Sequence, residues 1–303
     1  MSRIENPFHQ GELEIQALLN ESEISKRNSR VIDTEILKGA LNFIEQQKYF
    51  YIGSVDSLGN LHTSMIYGKQ GFIKASQTQI VLDKDMIQSS FEDIFFKNVS
   101  SNPVVGSIFI ELASRRRIRI NGDFDLDTMT LQVKESYPNC PKFIQKRILH
   151  VEEKSVETQF DLDDQLNEES SNVIENSDTF FVSSGSTYLG LDTSHRGGKP
   201  GFVKVINNTT LKIPDYPGNS IYNTLGNFQA NPSGSILFID FINNTILQLS
   251  GKVTLEMSSK LDETKKYKIY WIFHIKLVSK TTIGNKLSWE FLDPSPLNPI
   301  IIE

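Results

Sequence analysis

Short apolar stretches of strand length dominate this chain. YFYIGSV at residues 49–55 is rich in aromatic and β-branched residues, and DSLGN behind it is a turn signal, so a hairpin is predicted there. GFIKA, TQIVL, VGSIFIEL and RRRIRINGDFDL follow as further strands, with ASR as a tight connection between the last two. Helical spacing interrupts twice. Ile36, Leu37, Ala40, Leu41 and Ile44 form a stripe that Asp33 or Thr34 can cap and that stops near EQQK. FEDIFFKNVSSNP repeats its apolar residues at helical spacing and closes at Asn102-Pro103. The first 30 residues are polar with little apolar periodicity, and either wrap over the fold or stay mobile.

The second half writes the same order again. DTFFVSSGS answers KYFYIGSVDS, TSHRGGKPGFVKV answers TSMIYGKQGFIKA, NPSGSILFIDF answers NPVVGSIFIEL, and LQLSGKVTL answers RIRINGDFDL. Asn102, Pro103, Phe109 and Ile110 meet Asn231, Pro232, Phe238 and Ile239 at an offset of 129 residues, and Gly122 meets Gly251 at the same offset. A collinear series of this kind means duplication. The pattern predicts an N-terminal extension (1–30), a first β domain (31–150), an acidic junction that is part linker and part helix (151–177), and a second β domain with a Pro-rich tail (178–303). KIYWIFHIKLVSKT is one more strand of that second domain. Small β domains often pair about a two-fold axis with sites between them, and a tandem copy builds such a pair inside one chain.

Composition narrows the picture. The 303 residues are 38% hydrophobic and 22% charged with a formal net charge of −6, so binding to a nucleic-acid backbone is a poor expectation. No apolar run is long enough to span a bilayer, a single cysteine permits no internal disulfide, and the N-terminus lacks an apolar core; the expected location is the cytosol. The five histidines show no metal-ligand spacing, and no P-loop, G-x-S-x-G or strand-borne G-x-G-x-x-G is present.

Candidate chemistry concentrates in three segments. SHRGGKPG, residues 194–201, joins backbone-permissive glycines to the hydroxyl of Ser194 and the cations Arg196 and Lys199, a set suited to phosphate. His195 in the same run is a candidate proton relay, or else orients Asp215 or a phosphate. PDYPGNSIYNTLGN, from Pro214, offers Asp215 and Tyr216 and then Asn219, Asn223 and Thr224 as donors, with a helix expected to begin near Ser220. In SRRRIRING, strand alternation puts Arg115, Arg117 and Arg119 on one face, which calls for anions. The first copy has Met65 and Ile66 where His195 and Arg196 stand, and the second has Gln248 for Arg119. One working site is therefore expected, with Arg117 and Arg119 beside the 194–201 loop, and a degenerate mate. Cys140 of YPNCPKFIQ is expected to be structural.

DTSHRGGKPGFVKV, IPDYPGNSIYNTLGN, NPSGSILFIDF and LQLSGKV, together with FHQGELEIQ, RRRIRINGD, YPNCPKFIQ and WEFLDPSPLNP, resemble the signature runs of the pyridoxamine 5'-phosphate oxidase superfamily of flavin-nucleotide-binding proteins, over nearly the whole chain. The resemblance implies a mainly β fold of two tandem FMN-binding split barrels forming an intramolecular pseudo-dimer, with FMN between the barrels. It implies flavin contacts from the Arg196-bearing strand, a cofactor-lining role for Lys142 or Gln145, and Trp289 packed on the flavin edge. Many members of the group carry a basic residue where Ser220 stands here. The expected activity is an FMN-dependent oxidoreductase acting on a small molecule with NAD(P)H or oxygen as electron partner, working as a monomer of paired barrels or a homodimer. The alternatives are a non-catalytic flavin or phosphorylated-ligand carrier, and a haem-binding split barrel with His195 or His274 as ligand. True pyridoxamine phosphate oxidation is not expected, because the chain is double length and EFLDPSPLNP replaces the substrate-binding arginine-histidine ending of the bona fide oxidases.

Overall fold

The structure is a computed structural model that describes residues 6–151, 160–257, 269–283 and 287–299. In the first half, strands β1 (Tyr49–Val55), β2 (Leu61–Tyr67), β3 (Ile73–Ala75), β4 (Gln79–Leu82), β5 (Val104–Glu111), β6 (Arg116–Asp125) and β7 (Thr130–Pro138) form one antiparallel sheet in the order β2-β1-β5-β6-β7-β4-β3. Strands β8 (Lys146–Val151) and β9 (Phe160–Asp163) follow. The second half then provides β10 (Thr179–Ser186), β11 (Gly190–Gly197), β12 (Lys204–Asn207), β13 (Thr210–Asp215), β14 (Ser233–Asp240), β15 (Thr245–Met257) and β16 (Ile269–Thr282), in the order β11-β10-β14-β15-β16-β13-β12. Strand for strand the two orders are the same, so the duplication written in the sequence is a duplication of topology.

Each sheet curls round its own core. Ile52, Ile66, Ile73, Ile80, Phe109, Ile120 and Leu131, one from each strand of the first sheet, meet in a single buried cluster. Val182, Leu211, Ile236, Leu249 and Phe273 do the same in the second half. The repeated glycines have a job in this curvature. The ladder slips register between Asn121 and Gly122 and again between Ser250 and Gly251. A Cβ would lie 1.9 Å from the Gln132 carbonyl oxygen at Gly122 and 2.1 Å from that of His274 at Gly251.

The halves are not separate beads. A third buried cluster draws Tyr51, Met65, Ile108 and Ile110 from the first and Phe181, Leu237, Ile239 and Ile246 from the second. Tyr51 and Phe181, equivalent positions of the two copies, stack on each other with ring centroids 3.4 Å apart and planes 14° apart. Thr63 donates to the Ser235 carbonyl (3.2 Å), and Thr193 donates to that of Gly106 (2.6 Å), the same contact made in both directions. Burying a large apolar side chain contributes about 1.5–3 kcal/mol, so a cluster of this size holds the halves as one body. β17 (Leu287–Asp293) closes the arrangement by pairing antiparallel with β8, strand after strand of the two repeats. What reads as an extended Pro-rich tail thus begins with a paired strand.

Six α-helices lie among the described residues: α1 (Gln10–Leu18), α2 (Ser22–Asn28), α3 (Lys38–Glu45), α4 (Ile94–Val99), α5 (Glu168–Asn176) and α6 (Asn223–Ala230). The N-terminal extension therefore wraps, and it does so on the second half: Gln16 donates to the Ile221 carbonyl (3.0 Å) and Asn28 to that of Asn219 (2.7 Å). α3 starts later than the sequence predicts. Asp33 is tied to Ser136 by a pair of backbone bonds (3.0 and 2.8 Å), so neither it nor Thr34 caps the helix, and Leu37 stands at the cap without a side-chain bond. α5 supplies the expected helix of the acidic junction; residues 152–159 of that junction lie outside the described residues.

Candidate functional site

A cleft of about 750 Å³ of empty space, partly open to solvent, lies between the halves. The first half contributes Arg117 and Arg119 from β6 and Asn139, Cys140, Lys142 and Phe143 from the β7–β8 connection. The second contributes His195 and Arg196 from β11, Asp215 from the end of β13, Tyr216, Asn219 and Ser220 from the loop behind it, and Asn223 and Thr224 from the start of α6. That start is three residues later than predicted, because Ser220 (φ 62°) and Tyr222 (φ 68°) are left-handed and cannot continue a helix. No side chain caps it.

Strand alternation aims Arg117 and Arg119 across the interface. Arg117 donates from Nε and Nη2 to the Cys140 carbonyl (2.9 and 2.6 Å) and from Nη1 to Nδ1 of His195 (3.1 Å). Among the described residues no carboxylate lies within ion-pair distance of it, and burial, with Arg119 and Arg196 nearby, lowers its proton affinity to a pKa of about 10. Arg119 donates to the Tyr137 hydroxyl (2.9 Å), to Asn223 Oδ1 (3.0 Å) and to the Ser194 hydroxyl. Ser194 in turn shares a bond with the Thr224 hydroxyl (3.0 Å). Arg115 does not join this face. It precedes β6 in a left-handed conformation (φ 57°), donates to the Ile144 carbonyl (2.8 Å) and pairs with Asp293.

Arg196 lies over the Trp271 ring at 5.1 Å and pairs with Asp215 at 3.4 Å. Burial raises the Asp215 carboxyl above the ordinary range, against the pull of Arg196. His195 is driven the other way, well below the ordinary imidazole range, first by burial and then by Arg117, Arg196 and Arg147. A guanidinium can only donate, so Nδ1 accepts from Arg117 and the neutral ring carries its proton on Nε2, which has no partner among the described residues. A ring held this way offers no free basic nitrogen, which removes the geometry a proton relay needs. Phe143 and Tyr216, with ring centroids 5.5 Å apart, form an aromatic rim, and Asn219 donates to Asn139 (3.2 Å) across the two halves.

Four expected residues do not line the cleft: Ser194 is fully buried behind it, its hydroxyl spent on Arg119 and Thr224, and three lie elsewhere. Lys199 is exposed, because β11 ends at Gly197 and the turn carries it to a separate surface hollow. Gln145 is buried against the chain end: it exchanges amide bonds with Asn298 (3.0 and 2.9 Å), accepts from the Ser295 amide (2.7 Å) and donates to the Gly198 carbonyl (3.1 Å). Trp289 sits edge-on between Tyr49 (5.2 Å) and Phe241 (5.3 Å), where the β8–β17 pairing delivers it to the shared core rather than to the cleft. Tyr137, Asn139, Phe143 and the acids behind Arg119 were not anticipated. Asp192, two residues before Ser194 and 3.7 Å from Arg119, was visible in DTSHRGG; Glu12, in the polar extension, carried no signal.

At the pseudo-symmetric position, Met65 and Ile246 stand where His195 and Arg117 stand in the cleft. Tyr67, Asp93 and Ile283 line the rest of a smaller hollow of about 330 Å³ that has no cation in its lining. Gln248 spends its amide on the Thr63 carbonyl (2.7 Å), and Lys69 is exposed. Among the described residues no group of three or more His, Cys, Asp or Glu side chains could hold a metal ion, His274 is exposed on β16, and no helix is long and apolar enough to cross a membrane.

No family model and no curated protein matches the chain. Solved structures are similar to parts of it. A candidate pyridoxamine 5'-phosphate oxidase from Lactobacillus delbrueckii shares 13% identity at a TM-score of 0.30, covering 38% of this chain and 93% of its own. HupZ of Group A Streptococcus shares 14% at 0.29, covering 37% and 91%. A FAD-binding protein from Mesorhizobium loti shares 8% at 0.27, covering 41% and 97%. Each is thus nearly spanned by less than half of this chain.

Proposed function

We propose that the cleft binds flavin mononucleotide, one molecule per chain, and that the bound flavin exchanges electrons with a small molecule, NAD(P)H or oxygen being the other partner. The observation that carries this reading is Arg117: a half-buried guanidinium with no acidic partner among the described residues, beside Arg119 and Arg196, in a cleft whose lining holds one carboxylate, Asp215. Uncompensated buried cations are costly, and a phosphate dianion offsets them. The donor set fits the whole group. Arg117, Arg196 and Lys142 suit the phosphate; Asn139, Asn219 and Thr224 suit a polyol chain; Phe143 and Tyr216 present ring faces. Neutral His195 offers an N–H without adding charge. The flavin supplies the hydride or electron transfer, while the chain binds, orients and neutralises. Both walls come from one polypeptide, and the mate hollow, which has no cation in its lining, sets the stoichiometry.

The test is a fluorescence titration of the purified chain with FMN and with riboflavin. We expect one FMN per chain, bound at least tenfold tighter than riboflavin because charged hydrogen bonds contribute about 1.5–3 kcal/mol each. Arg117→Met should erase that preference. Equal affinity for the two flavins, or no quenching by either, would overturn the reading. Bleaching of the bound flavin by NADPH and its recovery in air separate an oxidoreductase from a carrier.

A further inference from the structure

Behind the cationic wall lies a layer of acid that flavin binding leaves unused. Glu135 of β7 and Asp192 of β11 lie beside the guanidinium of Arg119, and Glu12 of α1 lies beside both of those acids. Asn121 donates to Glu135 (2.8 Å) and to Asp192 (2.9 Å), while Tyr137 (2.8 Å) and Asn227 (2.9 Å) also donate to Asp192. Glu12 is 2% exposed. It accepts from the Asn223 amide (2.6 Å) and the His9 backbone (3.0 Å). The charged and titratable groups around it are His9 on its own helix, Glu135 from β7, Asp192 from β11 and, through Asn223, Arg119 from β6. Buried Glu12 and half-buried Glu135 face a third acid with one guanidinium among them, which disfavours ionisation of both.

Asn223 links this layer to the cleft. Its nitrogen is committed to Glu12, so its oxygen must face Arg119 (3.0 Å). Arg119 lines the cleft, is 6% exposed, and keeps an Nε without a partner among the described residues. The placement of Glu12 is fixed by backbone: α1 and α6 touch where a Cβ on Gly11 would lie 2.3 Å from the Gly226 carbonyl oxygen, and one on Gly226 would lie 2.4 Å from Glu12 Cγ.

We propose that Glu12 is a positioning residue of the cleft: by fixing the Asn223 amide it aims Arg119 at an anionic ligand, and the acid cluster takes up a proton when that ligand binds. This rests on reading the cleft as an anion site. A new negative charge competes for the guanidinium the acids share, so their protons are held more tightly. The cluster has protons to trade near neutrality, since burial and then Asp192 raise Glu12 to about 8 and Glu135 to about 7.

The experiment is calorimetric titration of the full chain with FMN in buffers of different ionisation enthalpy, at pH 7.0 and 8.5. FMN phosphate is already dianionic there, its second pKa being about 6, so exchanged protons belong to the protein. Uptake of about half a proton is expected, hence roughly fivefold weaker binding at pH 8.5 than at pH 7.0. Glu12→Gln should abolish most of the uptake at pH 8.5, where its carboxyl is largely ionised before the ligand arrives, and flatten the pH dependence, which a purely structural role would not do. Should that variant not fold, Glu135→Gln must lower the uptake instead. Sulfate, ionised throughout, is the second probe. Proton uptake with sulfate but no FMN binding sinks the flavin reading and keeps this one. Binding of either probe without proton exchange, an unchanged uptake in the variant, or no binding of either probe overturns it.

Discussion

Gly106→Ala probes the join between the halves and the cleft together. Gly106 lies on β5, where that strand meets β11 backbone to backbone. A Cβ there would fall 2.2 Å from the Leu191 carbonyl oxygen, 2.5 Å from its carbon and 2.7 Å from the Asp192 nitrogen. Ordinary contact needs about 1 Å more, and both neighbours are backbone that no rotamer change can move aside. Forced overpacking of this kind costs about 1–3 kcal/mol. The Thr193 hydroxyl bond to the Gly106 carbonyl, buried at 2.6 Å, is disturbed with it and adds about 1 kcal/mol. A loss of about 2–4 kcal/mol is expected in urea unfolding. Because β11 carries Asp192, Ser194 and His195, pushing it outward also shifts Arg119 and Arg117, and FMN affinity should drop about tenfold for each 1.4 kcal/mol of lost contact. Gly39→Ala is the control. A Cβ at Gly39 in α3 meets nothing within 4 Å, so alanine there should stabilise by up to about 1 kcal/mol. If Gly106→Ala unfolds within about 0.5 kcal/mol of the parent and binds FMN equally well, the close approach of the two halves at this point is wrong.

Two further outcomes follow. Trp289→Ala should cost about 2–4 kcal/mol in thermal or urea unfolding, through lost packing on Tyr49 and Phe241, with flavin affinity unchanged; Lys199→Ala should change neither. In the ligand-free chain, the raised Glu12 carboxyl makes ionisation unfavourable in the folded state. Relative to Glu12→Gln, the parent should therefore lose stability as pH rises from about 5 to about 8 and level off above, by on the order of 3 kcal/mol, as read from urea midpoints across that range.

The sequence revealed the architecture far better than the second layer of the site. Periodicity and the 129-residue offset were enough for the strands and the two halves, because alternation on a half-buried sheet is a local property. Arg117 and Arg119 were legible for the same reason: they alternate on one strand. Arg115 was misjudged because the strand starts one residue later, and Lys199 because β11 stops at Gly197, so alternation no longer applies. Glu12 and Trp289 depend on pairings between distant parts of the chain, α1 on α6 and β17 on β8, which no local pattern announces.

The stacked rings of Tyr51 and Phe181 show what fusion makes possible. In a dimer of identical subunits a residue on the axis must meet itself, and every change is written twice. Here one copy is tyrosine and the other phenylalanine, so the two sides of the axis have diverged independently. The same freedom let Met65 and Ile246 leave one crevice small and without cations while His195 and Arg117 line the other. A single gene thereby holds an asymmetric heterodimer whose partners never need to find each other.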